Sequence, residues 1–296
     1  MSSNRFPPPF SLCQPDPGKS CGACCGLYNW KDHSRKTIGQ MLVRRTALFR
    51  SCGNNPFRYR RRHSAETIPS NPKLSEEIYN CEFLGFLDSP RRRIGCLLHP
   101  SLHGGEDLRE GSFYGRALCA EHLCPSHTHL TPVEQGSVVA ALEDWYLYGL
   151  VITDIDYVKE FFRQVEGRLG DSIRLSRLGE PAVREALGDF YRLKESWKFA
   201  SPENRLGKYF FVAGAYQIAR MDAQRKWRGK TSRFDPILLS LSSEFSSLRE
   251  VEEAEFLIEE KMNQFVGAYQ NGRNAGEPGP RLRDRDVEDR KSGKNR

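Results

Sequence analysis

The chain changes its hydrophobic pattern along its length. Over the second half, apolar residues recur at three- and four-residue spacing, the period of a half-buried helix. The first 130 residues offer only short apolar pieces, broken by turn formers such as Asn54-Asn55-Pro56 and Gly104-Gly105. In that part the pattern predicts one helix, from about Thr37 to Phe49, with Ile38, Met41, Leu42 and Leu48 on an imperfect apolar face. Thr131-Pro132 reads as a helix cap with proline in the first turn, after which Val138, Leu142 and Trp145 fall on one face. Helices are also predicted around Ile155 to Arg168, carrying Tyr157, Val158, Phe161, Phe162 and Val165, and from Pro181, carrying Val183, Ala186, Leu187 and Phe190. The run from Tyr209 to Met221 is aromatic enough for a strand yet long enough for a buried helix, and is read as a helix. Leu248, Val251, Phe256, Ile258, Met262 and Phe265 mark a last helix to about Tyr269, stopped by Asn271-Gly272.

The expected fold is mainly α, with a loop-rich cysteine-cluster metal-binding region packed on a helical domain. Residues 1–12 are Pro-rich and read as a flexible lead-in, 13–130 as the cysteine region, 131–270 as the helical domain and 271–296 as a disordered charged tail. A loop-rich segment of this kind buries little apolar area by itself, and bound metal is one source of the missing folding energy.

Composition sharpens this division. The chain has 296 residues, 38% of them hydrophobic and 28% charged, with mean hydropathy −0.62. Its apolar runs are far below the ~18 residues that span a bilayer, which excludes an integral membrane protein. Met1 to Pro9 lack a basic start followed by an apolar core, so no secretory signal is expected and the compartment is taken as reducing and cytoplasmic. The net charge of +7 resides entirely in the first 130 residues, with 18 Lys and Arg against 11 Asp and Glu; beyond them the numbers are 27 and 27. All nine cysteines lie in that first part too.

The densest chemistry is Ser20-Cys21-Gly22-Ala23-Cys24-Cys25-Gly26. A Cys-x2-Cys pair can place two thiolates on one metal, and Gly22 and Gly26 are suited to turning backbone amides toward the sulfurs. Neighbouring side chains diverge, so Cys24 and Cys25 fit two metals, a cluster with more than one iron, or one metal and one free thiol. Cys81, Cys96, Cys119 and Cys124 follow as a spaced series, and Cys124-Pro125 matches the end of bacterial ferredoxin runs. The candidate ligands are Cys13, Cys21, Cys24, Cys25, Cys81, Cys96, Cys119 and Cys124, for zinc, iron or an iron-sulfur cluster. Among the histidines of the same stretch only His99 is picked as a nitrogen ligand, and Cys52 falls outside the motifs. Buried thiols acting as small hydrophobes would not explain the clustering. A disulfide framework is disfavoured by the odd count and the reducing compartment.

At these residues the chain resembles the YkgJ-type cysteine-cluster family, which is named for a CxxCxxCC motif and taken to chelate zinc or iron. The resemblance rests on Cys21, Cys24 and Cys25, on Cys81-Glu82-Phe83-Leu84 with Cys96, and on Arg116 with Cys119 and Cys124, so it spans roughly residues 13 to 125. Two departures stand out: Cys13 lies eight residues before Cys21 rather than three or four, and Arg116 is followed by Ala117 rather than proline. Flagellin lysine N-methylases are similar in carrying such a cluster ahead of a helical region. That resemblance implies methyl transfer from S-adenosylmethionine, for which no residues can be named here.

Arg44 to His63 holds seven arginines and no acid, with Phe49, Phe57 and Tyr59 interleaved. Arginine forks bind phosphates and aromatic rings stack on bases, so a nucleic acid or an acidic protein is the alternative partner to a metal ion. Dinucleotide-fold, P-loop, H-E-x-x-H and G-x-S-x-G signatures are absent. The carboxylate pairs Glu252-Glu253 and Glu259-Glu260 fit a solvated helix face.

Overall fold

The computed structural model describes residues 11–65, 71–76, 78–201, 209–212, 215–218 and 232–276. The protein is mainly helical. In chain order it runs α1 (Arg35–Ser51), α2 (Pro56–Ala65), β1 (Leu84–Phe86), β2 (Ile94–Cys96), α3 (Gly115–Glu121), α4 (Ser126–His129), α5 (Pro132–Ala141), α6 (Trp145–Ile152), α7 (Ile155–Leu169), α8 (Pro181–Ser196), β3 (Tyr209–Val212), β4 (Ala215–Ile218), α9 (Asp235–Ser240) and α10 (Leu248–Gly276). Among the described residues, no helix is long and apolar enough to cross a membrane.

Helices α5, α7, α8, α9 and α10 close around one aromatic core. Phe161 is fully buried at its centre, with ring centroids 4.4 Å from Phe190, 5.1 Å from Phe265 and 5.9 Å from Tyr191. Local signals set the starts of these helices. Thr131 and Glu134 form a reciprocal capping box on α5, and Asp154 caps α7 through the Tyr157 amide.

The face predicted from Val138, Leu142 and Trp145 does not lie on one helix. The chain leaves α5 at Leu142 and restarts at Asp144, whose carboxylate accepts from the Tyr146 and Leu147 amides to cap α6. All eight residues of α6 are buried. Leu147, Tyr148, Val151 and Ile152 enter the helical core, while Trp145, Tyr146 and Leu150 enter a second apolar cluster with Leu27, Tyr28, Leu42, Phe86 and Ile94. A helix that is apolar all round is the expected form of an element packed on both sides. Helix α6 is therefore the joint between the cysteine region and the helical core.

Polar contacts reinforce this joint. The Tyr28 hydroxyl donates to the Tyr146 carbonyl at 2.8 Å, and the Tyr148 hydroxyl to the Leu12 carbonyl at 2.8 Å. The buried Lys19 ammonium donates to the carbonyls of Val139 and Leu142 at 2.7 and 2.6 Å. Arg35 on α1 bridges Asp144 and Glu195. Leu12, at the edge of the predicted lead-in, is buried in the helical core; residues 1–10 lie outside the described residues.

Three further expectations differ from the structure. The Tyr209 to Met221 run is an antiparallel strand pair with Tyr209 opposite Ile218 and Val212 opposite Ala215, in keeping with the strand preference of its aromatic and β-branched residues; its end at 219–221 lies outside the described residues. The last helix does not stop at Asn271-Gly272 but continues to Gly276. The remainder of the predicted tail, 277–296, lies outside the described residues. Helix α2 arises where a loop was expected; among its residues whose burial is described, Pro56 and Tyr59 are the buried anchors of a polar sequence without an apolar stripe.

Candidate metal centre

The vicinal pair sits in a tight turn. Ala23–Cys25 form one turn of 3-10 helix, closed by the Gly26 amide donating to the Ala23 carbonyl at 2.9 Å. Such a turn rotates successive side chains by about 120°, so Cys24 and Cys25 leave it in different directions.

Close approach is felt at both flanking glycines, and at Gly26 it requires glycine. A Cβ on Gly26, whose φ is +75°, would lie 2.3 Å from the Tyr79 carbonyl oxygen. The backbone of residues 79–80 thus rests on Gly26, which lets the Cys81 amide donate to the Cys25 carbonyl at 2.9 Å. At Gly22 a Cβ would meet the Leu84 and Ile94 side chains of the β1–β2 hairpin at 3.0 Å. That hairpin places Cys96 opposite Leu84, three residues beyond Cys81. On the other side of the turn the Cys21 amide donates to the Cys13 carbonyl at 2.9 Å.

Electrostatic contact sorts the thiols further. Burial pushes the Cys13 thiol up, with Cys124 the nearby anion adding to it, and burial pushes Cys21 well up, helped by Cys13 and Cys124. Cys24 shares a hydrogen bond with Cys124, and this bond is the main cause that draws the Cys124 thiol down to about 6 against its burial. Burial likewise raises Cys25 well above the ordinary thiol value, assisted by Cys81, Cys96 and Cys119, with Cys13 the weakest contributor. Cys81 is pushed up to about 12 and Cys96 to about 11, mainly by burial. Cys81 feels Cys96, and Cys96 feels Cys119. Burial favours the neutral thiol, and it outweighs the pull of Arg45 on Cys81 and of Arg109 on Cys96.

Backbone amides point at several of these sulfurs. The Ala23 amide reaches Cys21 Sγ at 3.5 Å. Cys81 accepts from the Phe83 amide, Cys96 from Leu98, and Cys124 from Ser126 and His127. Sulfur accepting from the amide two residues on is an outer-shell contact that supports a metal-bound thiolate. The Ser112 hydroxyl lies 3.3 Å from Cys119 Sγ.

Two arginines that the sequence did not single out as part of this site belong to it. Arg45 is buried on α1 and donates to the Cys81 carbonyl at 2.9 Å. Arg109, held by Asp107, donates to the Cys119 carbonyl at 3.3 Å and attracts Cys96 and Cys119 electrostatically. Arg45 had been grouped with the basic surface, and no local pattern distinguishes it from its exposed neighbour Arg44. For Arg109 the only signal was Asp107 two residues away.

His99 lies within electrostatic reach of Arg109 and Asp107, but its Nδ1 lies 2.8 Å from the Ser101 hydroxyl and accepts from the Ser101 amide, so the ring caps a short turn. Cys52 is buried among Leu48, Phe49 and Tyr59. None of the nine cysteines forms a disulfide. Among the described residues, there is no group of three or more His, Cys, Asp or Glu side chains that could hold a metal ion.

The basic stretch divides between surface and interior. Arg44, Arg50, Arg58, Arg61 and Arg62 are exposed. Arg45 is buried, and Arg60 is half-buried against Glu82 at 2.9 Å. Phe49 and Tyr59 are core residues, which leaves Phe57, 74% exposed, as the one ring of the three available for stacking.

Comparison of the chain with family models, with curated proteins and with solved structures returns no match.

Proposed function

We propose that this protein coordinates zinc or iron, as single ions or as an iron-sulfur cluster, through Cys13, Cys21, Cys24, Cys25, Cys81, Cys96, Cys119 and Cys124. Membership of the YkgJ-type family is part of the same proposal. The observation that carries it is the gathering of thiols from three segments distant in sequence. Cys25 interacts electrostatically with Cys81, Cys96 and Cys119, and Cys24 is hydrogen-bonded to Cys124. Amides aimed at Cys21, Cys81, Cys96 and Cys124, and the arginines at Cys81 and Cys119, would offset the charge of bound thiolates.

Metal content decides the matter. Full-length protein purified without oxygen and without a metal-binding tag should contain zinc or iron in stoichiometric amount, iron with sulfide appearing as a brown chromophore that bleaches on reduction. Folded protein that contains no transition metal and takes none up would overturn the proposal.

A second reading is that the metal holds a binding surface in shape. It is favoured by the five exposed arginines of α1 and α2, within a stretch that contains no acid. Retention on a nucleic acid or an acidic protein should then fall steeply with salt, and should be lost in an Arg58→Ala, Arg61→Ala, Arg62→Ala protein that keeps its metal.

A further inference from the structure

We infer that this protein binds single-stranded nucleic acid across α2 and a neighbouring platform of exposed rings, with arginines holding phosphates and Phe57, Phe113 and Tyr114 stacking on bases. This inference rests on the second reading above, the basic surface, and adds to it the other half of the site and the class of ligand.

The platform lies outside the basic stretch. Phe113 is stacked on Tyr79 with ring centroids 4.3 Å apart, and Tyr114 meets Tyr79 and Phe113 edge-on at 5.4 and 5.3 Å. Although Tyr79 covers one side of it, Phe113 is 65% exposed, and Tyr114 is 38% exposed. Exposed rings that touch one another mark an interaction surface, where scattered single ones would not.

Two contacts fix this platform beside α2. A Cβ on Gly111 would lie 2.9 Å from the Pro56 Cβ, so the segment leading to Phe113 rests on the first turn of α2. The Tyr79 hydroxyl donates to the Glu82 carboxylate, which also accepts from Arg60 at 2.9 Å. On α2 itself Arg61 follows Phe57 by four residues and Arg58 by three, so these exposed side chains are neighbours on one helix face. Among the described residues, Arg50, Arg58 and Arg61 have no carboxylate partner.

Charge is distributed to suit a strand. Arg109 is held by Asp107, and the Glu110 carboxylate accepts from the Arg116 amide, so the charged residues flanking the platform cancel. Its rings therefore suit uncharged bases, while α2 and the last turn of α1 offer guanidinium forks for phosphates. Ion pairing alone would hold any polyanion, an acidic protein included, and would leave the rings unused. A duplex presents its phosphates but keeps its base faces stacked inside. Unpaired bases on a charged backbone engage both halves of the surface, which makes a single strand the occupant these observations favour.

The test is fluorescence anisotropy with labelled single strands of about twelve nucleotides, oligouridylate and oligothymidylate, on the full-length protein as purified. Three further probes separate the sources of affinity: the same strand made abasic, a duplex of the same length, and polyglutamate. At least one of the single strands should bind, with an affinity that falls steeply with salt and exceeds that for the abasic strand by at least about fivefold. Phe57→Ala and Phe113→Ala should each lose about fivefold or more on the single strand and nothing on the abasic one, and Phe113→Tyr should bind as wild type. Because a variant can fail to fold, a strand carrying 5-iodouracil should also be photocrosslinked to the wild-type chain, with attachment at Phe57, Phe113 or Tyr114 located by mass spectrometry. Equal affinity for the abasic strand, the duplex or polyglutamate, alanine variants that bind as wild type, or crosslinks confined to other residues would overturn the stacking platform while leaving the basic surface standing. A protein that binds none of these polyanions would overturn both.

Discussion

The helical core and the cysteine region reach order by different means. Around Phe161 the rings of Phe190, Tyr191 and Phe265 fill one continuous interior, and the elements that carry them are helices of 15 residues or more. The cysteine region divides its apolar residues between two smaller clusters, and its sheet has two strands of three residues each. What holds it is a set of cross-links: Cys25 to Cys81, Cys13 to Cys21, Arg45 to Cys81, and Arg109 to Cys119. The first kind of order comes from burying area, which is tolerant of local exchange. The second depends on particular atoms meeting, which makes each glycine and each ligand harder to replace.

The contrast is broken or sharpened most forcefully by removing metal. Structural zinc contributes on the order of 10 kcal/mol to small domains that depend on it. Chelation of the loaded protein should therefore release amide protection across residues 13–25, 79–98 and 109–124, and leave α7, α8 and α10 protected. Hydrogen exchange read by mass spectrometry separates these segments. Equal loss in both regions would mean that the joint at α6 makes them one cooperative unit.

The reciprocal experiment is Phe161→Ala. Removing a fully buried ring from an aromatic core costs about 3–5 kcal/mol. Denaturant unfolding should show that loss, and metal content at low denaturant should stay at the wild-type level. If metal were lost as well, the cysteine region could not hold its shape without the helical core.

A single methyl group at Gly26 probes the region built on contacts. Alanine would have to adopt φ +75° and place its Cβ against the Tyr79 carbonyl, which must move. The expected cost exceeds about 1 kcal/mol, with reduced metal uptake, because the shift separates Cys25 from Cys81. Gly267 on α10 is the control: a Cβ there meets nothing within 4 Å. Replacing it by alanine should stabilise the protein by about 0.5–1 kcal/mol, through helix preference alone.

These two regions were also unequally legible from the sequence. Period 3.6 placed α7 close to both its ends and α8 at its start, since Val158, Phe161, Phe162 and Val165, like Val183, Ala186, Leu187 and Phe190, all face one core. The same rule failed across Leu142 to Trp145. The spacing persisted although the chain breaks there, and only Asp144 signalled a new cap. Helix α2 escaped notice because a short polar helix anchored by two residues has no apolar stripe. In the cysteine region the candidate ligands stood out by type and spacing, and the divergence of Cys24 and Cys25 was expected. Which thiols meet could not be read, because it depends on contacts 50 to 100 residues apart that no local pattern encodes. Arg45 was hidden for the same reason: burial, not identity, separates it from Arg44.

The smallest effect concerns charge within the helical region, at Glu160. Its side chain is largely buried on α7, which by itself would raise the carboxyl pKa, yet bonds from Arg163 at 2.6 and 2.8 Å and from Gln164 at 2.9 Å outweigh burial and hold it below 4.5. A carboxyl depressed in the folded state adds stability that is complete above the unfolded value and fades as pH falls through the folded one. Arg163 is mostly exposed, so solvent screening limits the gain to roughly 0.5–1 kcal/mol. Glu160→Gln should therefore lower the thermal midpoint at neutral pH by a few degrees at most, and the gap should close as pH drops below 4.5. A gap that stays constant through that range would show that Glu160 acts by packing and hydrogen bonding alone. The helical region would then owe nothing measurable to this ion pair, and the difference between order by burial and order by specific contact would be wider still.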